Sequence, residues 1–331
     1  MTTSLPLTFD HIQSARARIQ HAVHRTPVIT SASWDELTGT HLFCKAENLQ
    51  KTGAFKARGA ANAVLALPED QAKRGVVTHS SGNHGAALAR AAQLRGISAT
   101  VVMPSNAPAV KQAAVRAYGG EVVFCEPNLA AREAGVAQVI EQSGAVLIHP
   151  YNDVAVMAGQ GTAACELLEE VPDLEFVLTP VGGGGLLSGT AVATKALFAG
   201  TQVIGVEPAG ADDAFRSFHT GRLAPPPIAQ TIADGLRGAL GDLTFAVIRG
   251  CVDDIVTVTE EEILAAMQLA WERMKLVVEP SAAVPLAALL AHRLPGTQGR
   301  RVGVILSGGN LDVGRMIEHI GFKAAGPIRT S

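Results

Sequence analysis

Short β-branched runs alternate with alanine-rich stretches of helical periodicity along most of this chain. Strands are expected at Leu42–Ala46, Val76–His79, Ala99–Met103, Glu121–Cys125, Val146–His149, Phe176–Thr179, Val203–Val206, Ile255–Val258 and Arg301–Leu306. Between them Gly85–Arg95, Leu129–Gln142, Val154–Glu170 and Glu260–Lys275 carry the 3.6-residue period of helices. Thr259 followed by Glu262 makes a capping box for the last of these. Such alternation predicts parallel sheets covered by helices on both faces.

Several breaks punctuate the pattern. His149-Pro150-Tyr151-Asn152-Asp153 reads as a crossing between two lobes. Leu223-Ala224-Pro225-Pro226-Pro227 reads as a stiff loop, because proline fixes φ and cannot donate to a ladder. The uncharged run Phe176–Thr194 contains Pro180 and four consecutive glycines, so it suits a strand, loop and helix better than a membrane span.

Composition narrows the function classes. At 331 residues, 47% hydrophobic and 17% charged, the chain can bury the cores of two lobes. A net charge of -3 with no Lys/Arg run argues against a nucleic-acid surface, and 4% aromatics leave few stacking platforms. Cys44, Cys125, Cys165 and Cys251 are far apart without a C-x-x-C pair, which points to reduced, buried thiols in a cytoplasmic protein. No signal peptide is visible in Met1–Ile12.

Three expected strands end in glycine turns. Val76–His79 leads into Ser80-Ser81-Gly82-Asn83-His84-Gly85, Phe176–Thr179 into Val181-Gly182-Gly183-Gly184-Gly185, and Arg301–Leu306 into Ser307-Gly308-Gly309-Asn310. Open parallel sheets bind ligands at the carboxyl ends of their strands, so three such turns point to one buried ligand. Gly182–Gly185 lets backbone amides converge without Cβ obstruction ahead of a helix from about Leu186, and a phosphate is its natural guest. It lacks the Lys-Ser/Thr ending of a nucleotide P-loop. A dinucleotide fold is the rival, because Glu207 ends the next strand where a ribose-binding acid belongs. No frame of Gly182–Gly189 fits G-x-G-x-x-G, however, and that rival leaves the other two turns and Lys56 without a role.

Lys56 stands in Lys45–Ala60, after the first strand and at the start of a helix. With Thr78–Gly85, Val181–Gly189, Glu207–Asp213, Thr231–Gly235, Ile255–Glu260, Trp271–Pro280 and Leu306–Asp312, this stretch resembles the fold-type II pyridoxal-phosphate enzymes. The resemblance runs through nearly the whole chain and is to the serine racemase and serine/threonine dehydratase group. Ala54 departs from it, standing where the family usually has serine before Phe-Lys.

The resemblance implies two open twisted α/β lobes with the cofactor between them. A small mobile lobe would span 75–152, and a large lobe 1–74 and 153–331. Lys56 would hold pyridoxal phosphate as a Schiff base and, once displaced, remove the Cα proton. Asn83 would bind the cofactor's phenolic oxygen, Gly182, Gly183, Gly184 and Gly185 its phosphate, and Ser307 its pyridine nitrogen. A serine there cannot keep the ring protonated as a carboxylate would, which favours rapid loss of a β-hydroxyl over transamination. Ser80, Ser81, Asn83 and His84 would take the substrate carboxylate, and Ser81 would also be the proton donor opposite Lys56. Arg132 matches a family arginine near the site mouth, with a solvated helix arginine as the alternative.

Glu207-Pro208-Ala209-Gly210-Ala211-Asp212-Asp213 resembles the family's divalent-metal loop. Carboxylates from Glu207 and Asp213 and the Ala211 carbonyl would suit magnesium, calcium or manganese. The chain stops at Ser331, so the regulatory domain of biosynthetic threonine dehydratases is not expected. The expected activity is α,β-elimination from L-serine, L-threonine or 3-hydroxyaspartate in a cytoplasmic homodimer. Serine racemisation is the alternative main activity.

Overall fold

The computed structural model describes residues 5–80, 82–107, 109–226, 228–314 and 316. Its strands are β1 (Val28–Ile29), β2 (His41–Ala46), β3 (Val76–His79), β4 (Ala99–Pro104), β5 (Glu121–Cys125), β6 (Val146–Leu147), β7 (Phe176–Pro180), β8 (Gln202–Pro208), β9 (Asp254–Val258) and β10 (Arg301–Leu306). They form two sheets, a six-stranded one in the order β1-β2-β10-β7-β8-β9 and a four-stranded one in the order β5-β4-β3-β6. Every pairing is parallel except β1 with β2. The central strands β7, β8 and β10 are buried almost throughout, as apolar runs covered on both faces must be.

Three differences from the sequence pattern have local causes. Val28–Ile29 adds a two-residue antiparallel edge, too short to leave a periodic signal. The sixth strand pairs only at Val146 and Leu147, because the chain turns away towards Pro150. The helix from Glu260 ends at Leu269 and widens into a π-turn over Ala270–Met274. Lys275 closes that turn with φ 60°, and the Trp271 indole donates to the Val278 carbonyl at 3.0 Å. The Thr259–Glu262 capping box forms as expected.

Two helices that flank the site are locked to the buried helix Val154–Glu170 by missing side chains. A Cβ on Gly159 would come within 2.6 Å of the Gly59 Cα on the helix Lys56–Ala66. A Cβ on Gly161 would come within 2.7 Å of the Gly189 carbonyl on the helix Gly185–Leu197. Backbone-to-backbone crossings of this kind leave little room for sliding.

A buried ionic cluster reinforces the first crossing. Arg58, fully buried two residues after Lys56, donates to both oxygens of Glu47 and of Glu166, each at 2.8 Å. Lys45 reaches Glu166 at 2.7 Å, so two cations balance two anions. Removing one partner of such a set typically costs 3–5 kcal/mol, because it strands a buried charge. The four cysteines are free, but only Cys44 and Cys165 are buried as expected; Cys125, at the end of the edge strand β5, and Cys251, at a helix end, are partly exposed. Among the described residues no helix is long and apolar enough to cross a membrane.

Candidate active site

All three glycine turns open at the carboxyl ends of their strands into one cavity of about 1540 Å³. Its lining includes Lys56, Ser80, Asn83, His84, Arg132, Gly182, Gly183, Gly184, Gly185 and Ser307. The fold therefore brings these residues, singled out in the sequence, to one place. Ser81 lies outside the described residues. Glu207, Ala211 and Asp213 are not part of the lining.

The segment before Lys56 is stitched to the turn after β10. Phe55 N–H donates to the Ser307 carbonyl at 3.0 Å, and Gly309 N–H to the Gly53 carbonyl at 2.9 Å. Gly53, at φ 70°, has no room for a side chain because Asn310 lies against it. Ala54 is fully buried in a bridge to Gly308. These bonds start the helix at Lys56, whose Nζ donates to the Pro150 carbonyl at 2.6 Å. Burial pushes the Lys56 amine down to about 8, against the opposing field of Glu279. A neutral amine is thus accessible near physiological pH, as a base or nucleophile requires.

The four-glycine loop is closed in from below. A Cβ on Gly182 would come within 2.8 Å of the Leu236 backbone, and one on Gly183 would enter the Tyr151 ring. Gly184, at φ 86°, faces Leu240, Thr244 and Ile248. What the loop offers the cavity is therefore backbone, at the amino end of the 13-residue helix Gly185–Leu197. This cradle suits a phosphate.

Beside the cradle, Asn83 opens the helix Asn83–Arg95. Its amide nitrogen donates to both oxygens of Glu279, at 2.9 and 3.2 Å, and its oxygen accepts from Asn310 at 3.0 Å. Burial pushes Glu279 up to about 7, and Asp234 adds to the effect. The Ser80 hydroxyl accepts from Gly82 and Gly85 amides, shaping the turn itself. Burial holds His84 well below the usual imidazole range, and its Nδ1 has no hydrogen-bond partner among the described residues. His149 is pushed down to about 4 by burial and by His79 and Lys56. Arg132 is half-buried and donates to the Asn128 carbonyl.

Glu207 and Asp213 are buried neighbours behind this wall. Glu207 accepts from the amides of Ala214 and Phe215, and Asp213 from that of Leu240, which lines the cavity and packs on Gly184. Burial pushes Glu207 up to about 9 and Asp213 to about 6, and the field of Asp213 adds to the rise at Glu207. Among the described residues no three His, Cys, Asp or Glu side chains converge on a metal position.

Sequence reasoning passed over Glu279 and Tyr151. Glu279 precedes Pro280 at a helix start, where an acid reads as an ordinary end-cap. Tyr151 was visible only as part of a crossing between lobes.

An amine-bearing cavity, a backbone phosphate cradle and paired open α/β sheets define a cofactor-dependent α/β enzyme. The sequence profile of the family described as "Pyridoxal-phosphate dependent enzyme" matches residues 19–308, and the chain belongs to that family. Serine racemase of Arabidopsis thaliana is 48% identical over 309 residues, 92% of this chain and 93% of the relative. A beta-hydroxyaspartate dehydratase of Paracoccus denitrificans is 47% identical, covering 93% of this chain and 98% of its own. The solved structure of maize serine racemase superposes with a TM-score of 0.92 at 46% identity, over 95% and 97% of the two chains.

Proposed function

We propose that this enzyme eliminates water from small 3-hydroxy α-amino acids (L-serine, L-threonine or 3-hydroxyaspartate) with pyridoxal phosphate held on Lys56. The observation that carries this reading is a depressed lysine amine sharing one cavity with a backbone phosphate cradle. The residues fit the cofactor: Gly182–Gly185 for its phosphate, Asn83 for its phenolic oxygen and Ser307 for its ring nitrogen. When bound, pyridoxal phosphate supplies the electron sink for the pair left at Cα.

Lys56 Nζ takes the Cα proton, and the Pro150 carbonyl gives the resulting ammonium an acceptor. The same proton can pass to the departing β-hydroxyl, so the group leaves as water. The enamine product tautomerises to an imine and takes up water to give a 2-oxo acid and ammonia. Ser80, Asn83 and His84 orient the substrate carboxylate at the amino end of the helix Asn83–Arg95, with Ser81 and Arg132 assigned there from the sequence. Closure of a small lobe spanning 75–152 would exclude water.

Racemisation of serine is the second reading, favoured by the serine racemases among the relatives. Incubating the enzyme with L-serine, L-threonine and 3-hydroxyaspartate, and scoring both 2-oxo acid and D-amino acid, separates the two. Formation of neither product from any of the three would refute both.

A divalent cation at Glu207, Asp213 and the Ala211 carbonyl completes the proposal. Two buried neighbouring carboxylates, both pushed up by burial, suit a cation, which would also brace the Leu240 segment behind the phosphate cradle. The cytoplasmic homodimer belongs to the same reading. Leu49 and Val277, about half exposed and linked through the Asn48–Val277 hydrogen bond, offer an apolar face to a second copy.

A further inference from the structure

The pair Lys111–Asp234 spans the cavity between elements of different sheets. Lys111 stands on the helix Ala109–Ala117, which follows β4, and Asp234 opens a short turn of the large-sheet side, Asp234–Leu236. The ammonium hydrogen-bonds the Asp234 carboxylate, and both residues line the cavity. Their side chains are 16% and 39% exposed.

Lys111 also covers the turn assigned to the substrate carboxylate. Its Nζ lies 3.7 Å from where a Cβ on Gly82 would stand, the nearest described atom to that point apart from Gly82 and its two chain neighbours. Both members of the pair act on Glu279, the acid that holds Asn83, Asp234 raising it and Lys111 lowering it. The ion pair therefore sits at the substrate end of the site. Of the other cations lining the cavity among the described residues, Arg237 is tied to the Thr231 carbonyl by two hydrogen bonds, and Arg132 makes one 3.4 Å bond from Nε to the Asn128 carbonyl.

One carboxylate is already provided for by the amides of the turn and the start of the helix Asn83–Arg95. A full ammonium beside it answers a second anion. Within the protein that anion is Asp234, whose carboxylate holds the place at Lys111 that a guest's carboxylate could take. Exchanging one carboxylate for another keeps the lysine neutralised, and Asp234 is exposed enough to be released to water at little cost.

We propose that Lys111 is a specificity-determining residue, exchanging Asp234 for the second carboxylate of a 3-hydroxyaspartate and so selecting this substrate over serine and threonine. The proposal rests on the elimination reading for the identity of the substrate, though not for the anion site. Serine and threonine carry nothing anionic beyond the α-carboxylate and would leave the pair in place.

The test titrates the holoenzyme with succinate and with butyrate, four-carbon acids that differ in the second carboxylate, following the cofactor's visible band or the heat of binding. Wild-type enzyme is expected to prefer succinate by ~10-fold or more, Lys111→Gln to bring the two within about 2-fold, and Asp234→Asn to tighten succinate by a few-fold. In turnover, Lys111→Gln should lower kcat/KM for 3-hydroxyaspartate relative to serine by about 10-fold, through KM. A succinate preference that survives in Lys111→Gln, or an equal loss for both acids, overturns the proposal. If Lys111→Gln fails to fold, an unchanged succinate affinity in Asp234→Asn overturns it instead. Absence of turnover with every hydroxy-amino acid would sink the elimination reading, while the succinate and butyrate titrations would still decide the role of Lys111.

Discussion

Asn83 and Glu279, 196 residues apart in the chain, share two hydrogen bonds of 2.9 and 3.2 Å in the wall of the cavity. The carboxylate that orients Asn83 is also the charge that opposes the burial of Lys56. Replacing it in Glu279→Gln leaves burial to act alone, so the Lys56 amine should titrate below about 8. In protein stripped of cofactor, capture of added pyridoxal phosphate needs the neutral amine. The midpoint of its rate against pH should fall by up to about one unit in Glu279→Gln. An unmoved midpoint would remove Glu279 from control of the lysine.

Lys56→Met should abolish the yellow colour and nearly all turnover. It should also stabilise the cofactor-free protein. Lys56 is lowered from 10.5 to about 8 on folding, so between those values the unfolded chain binds a proton that the folded one does not. Stability from this group rises with pH across that window and is at its lowest below pH 8. Removing the amine should therefore add about 1–3 kcal/mol at neutral pH, read by denaturant unfolding. Full activity in this variant would end the proposed mechanism.

Metal removal should lower the melting temperature. A cation bound only by the folded state stabilises it by about 3 kcal/mol at a hundred times its Kd. The Glu207→Gln and Asp213→Asn variants should lose the response to added magnesium, calcium or manganese while keeping their cofactor band. If a chelator changes neither melting temperature nor rate in the parent enzyme, the cation assignment is wrong.

Ser81→Ala separates the two proposed activities. Racemisation needs a proton donor on the face opposite Lys56, and the resemblance assigns Ser81 to it. L-to-D conversion and elimination from D-serine should disappear, whereas elimination from L-serine should continue through Lys56. A racemase-to-dehydratase ratio equal to that of the parent would exclude Ser81 from proton transfer.

Much of the site was legible because its chemistry is local. Lys56, Gly182–Gly185 and Asn83 each sit in a short segment whose backbone needs particular residues at consecutive positions, and such segments survive as motifs. The three strand-end turns likewise carried their own direction, since parallel strands place ligands at their carboxyl ends. Glu279 gave no comparable signal. Its place against Asn83 depends on the αL residue Lys275 and on the turn after β10, which accepts the Glu279 amide at Gly308.

The sequence by itself determined the alternating α/β pattern, the phosphate-suited glycine loop and the lysine proposed to anchor the cofactor, because periodicity and turn chemistry act over a few residues. Tertiary structure decided what those residues feel. The Lys45–Glu47–Arg58–Glu166 cluster, the depressed Lys56 amine, the raised Glu279 carboxyl and the Lys111–Asp234 pair all join segments distant in the chain. Burial and electric field are sums over everything nearby in space, and neighbours in space are set only when the two sheets and the helix Val154–Glu170 have packed.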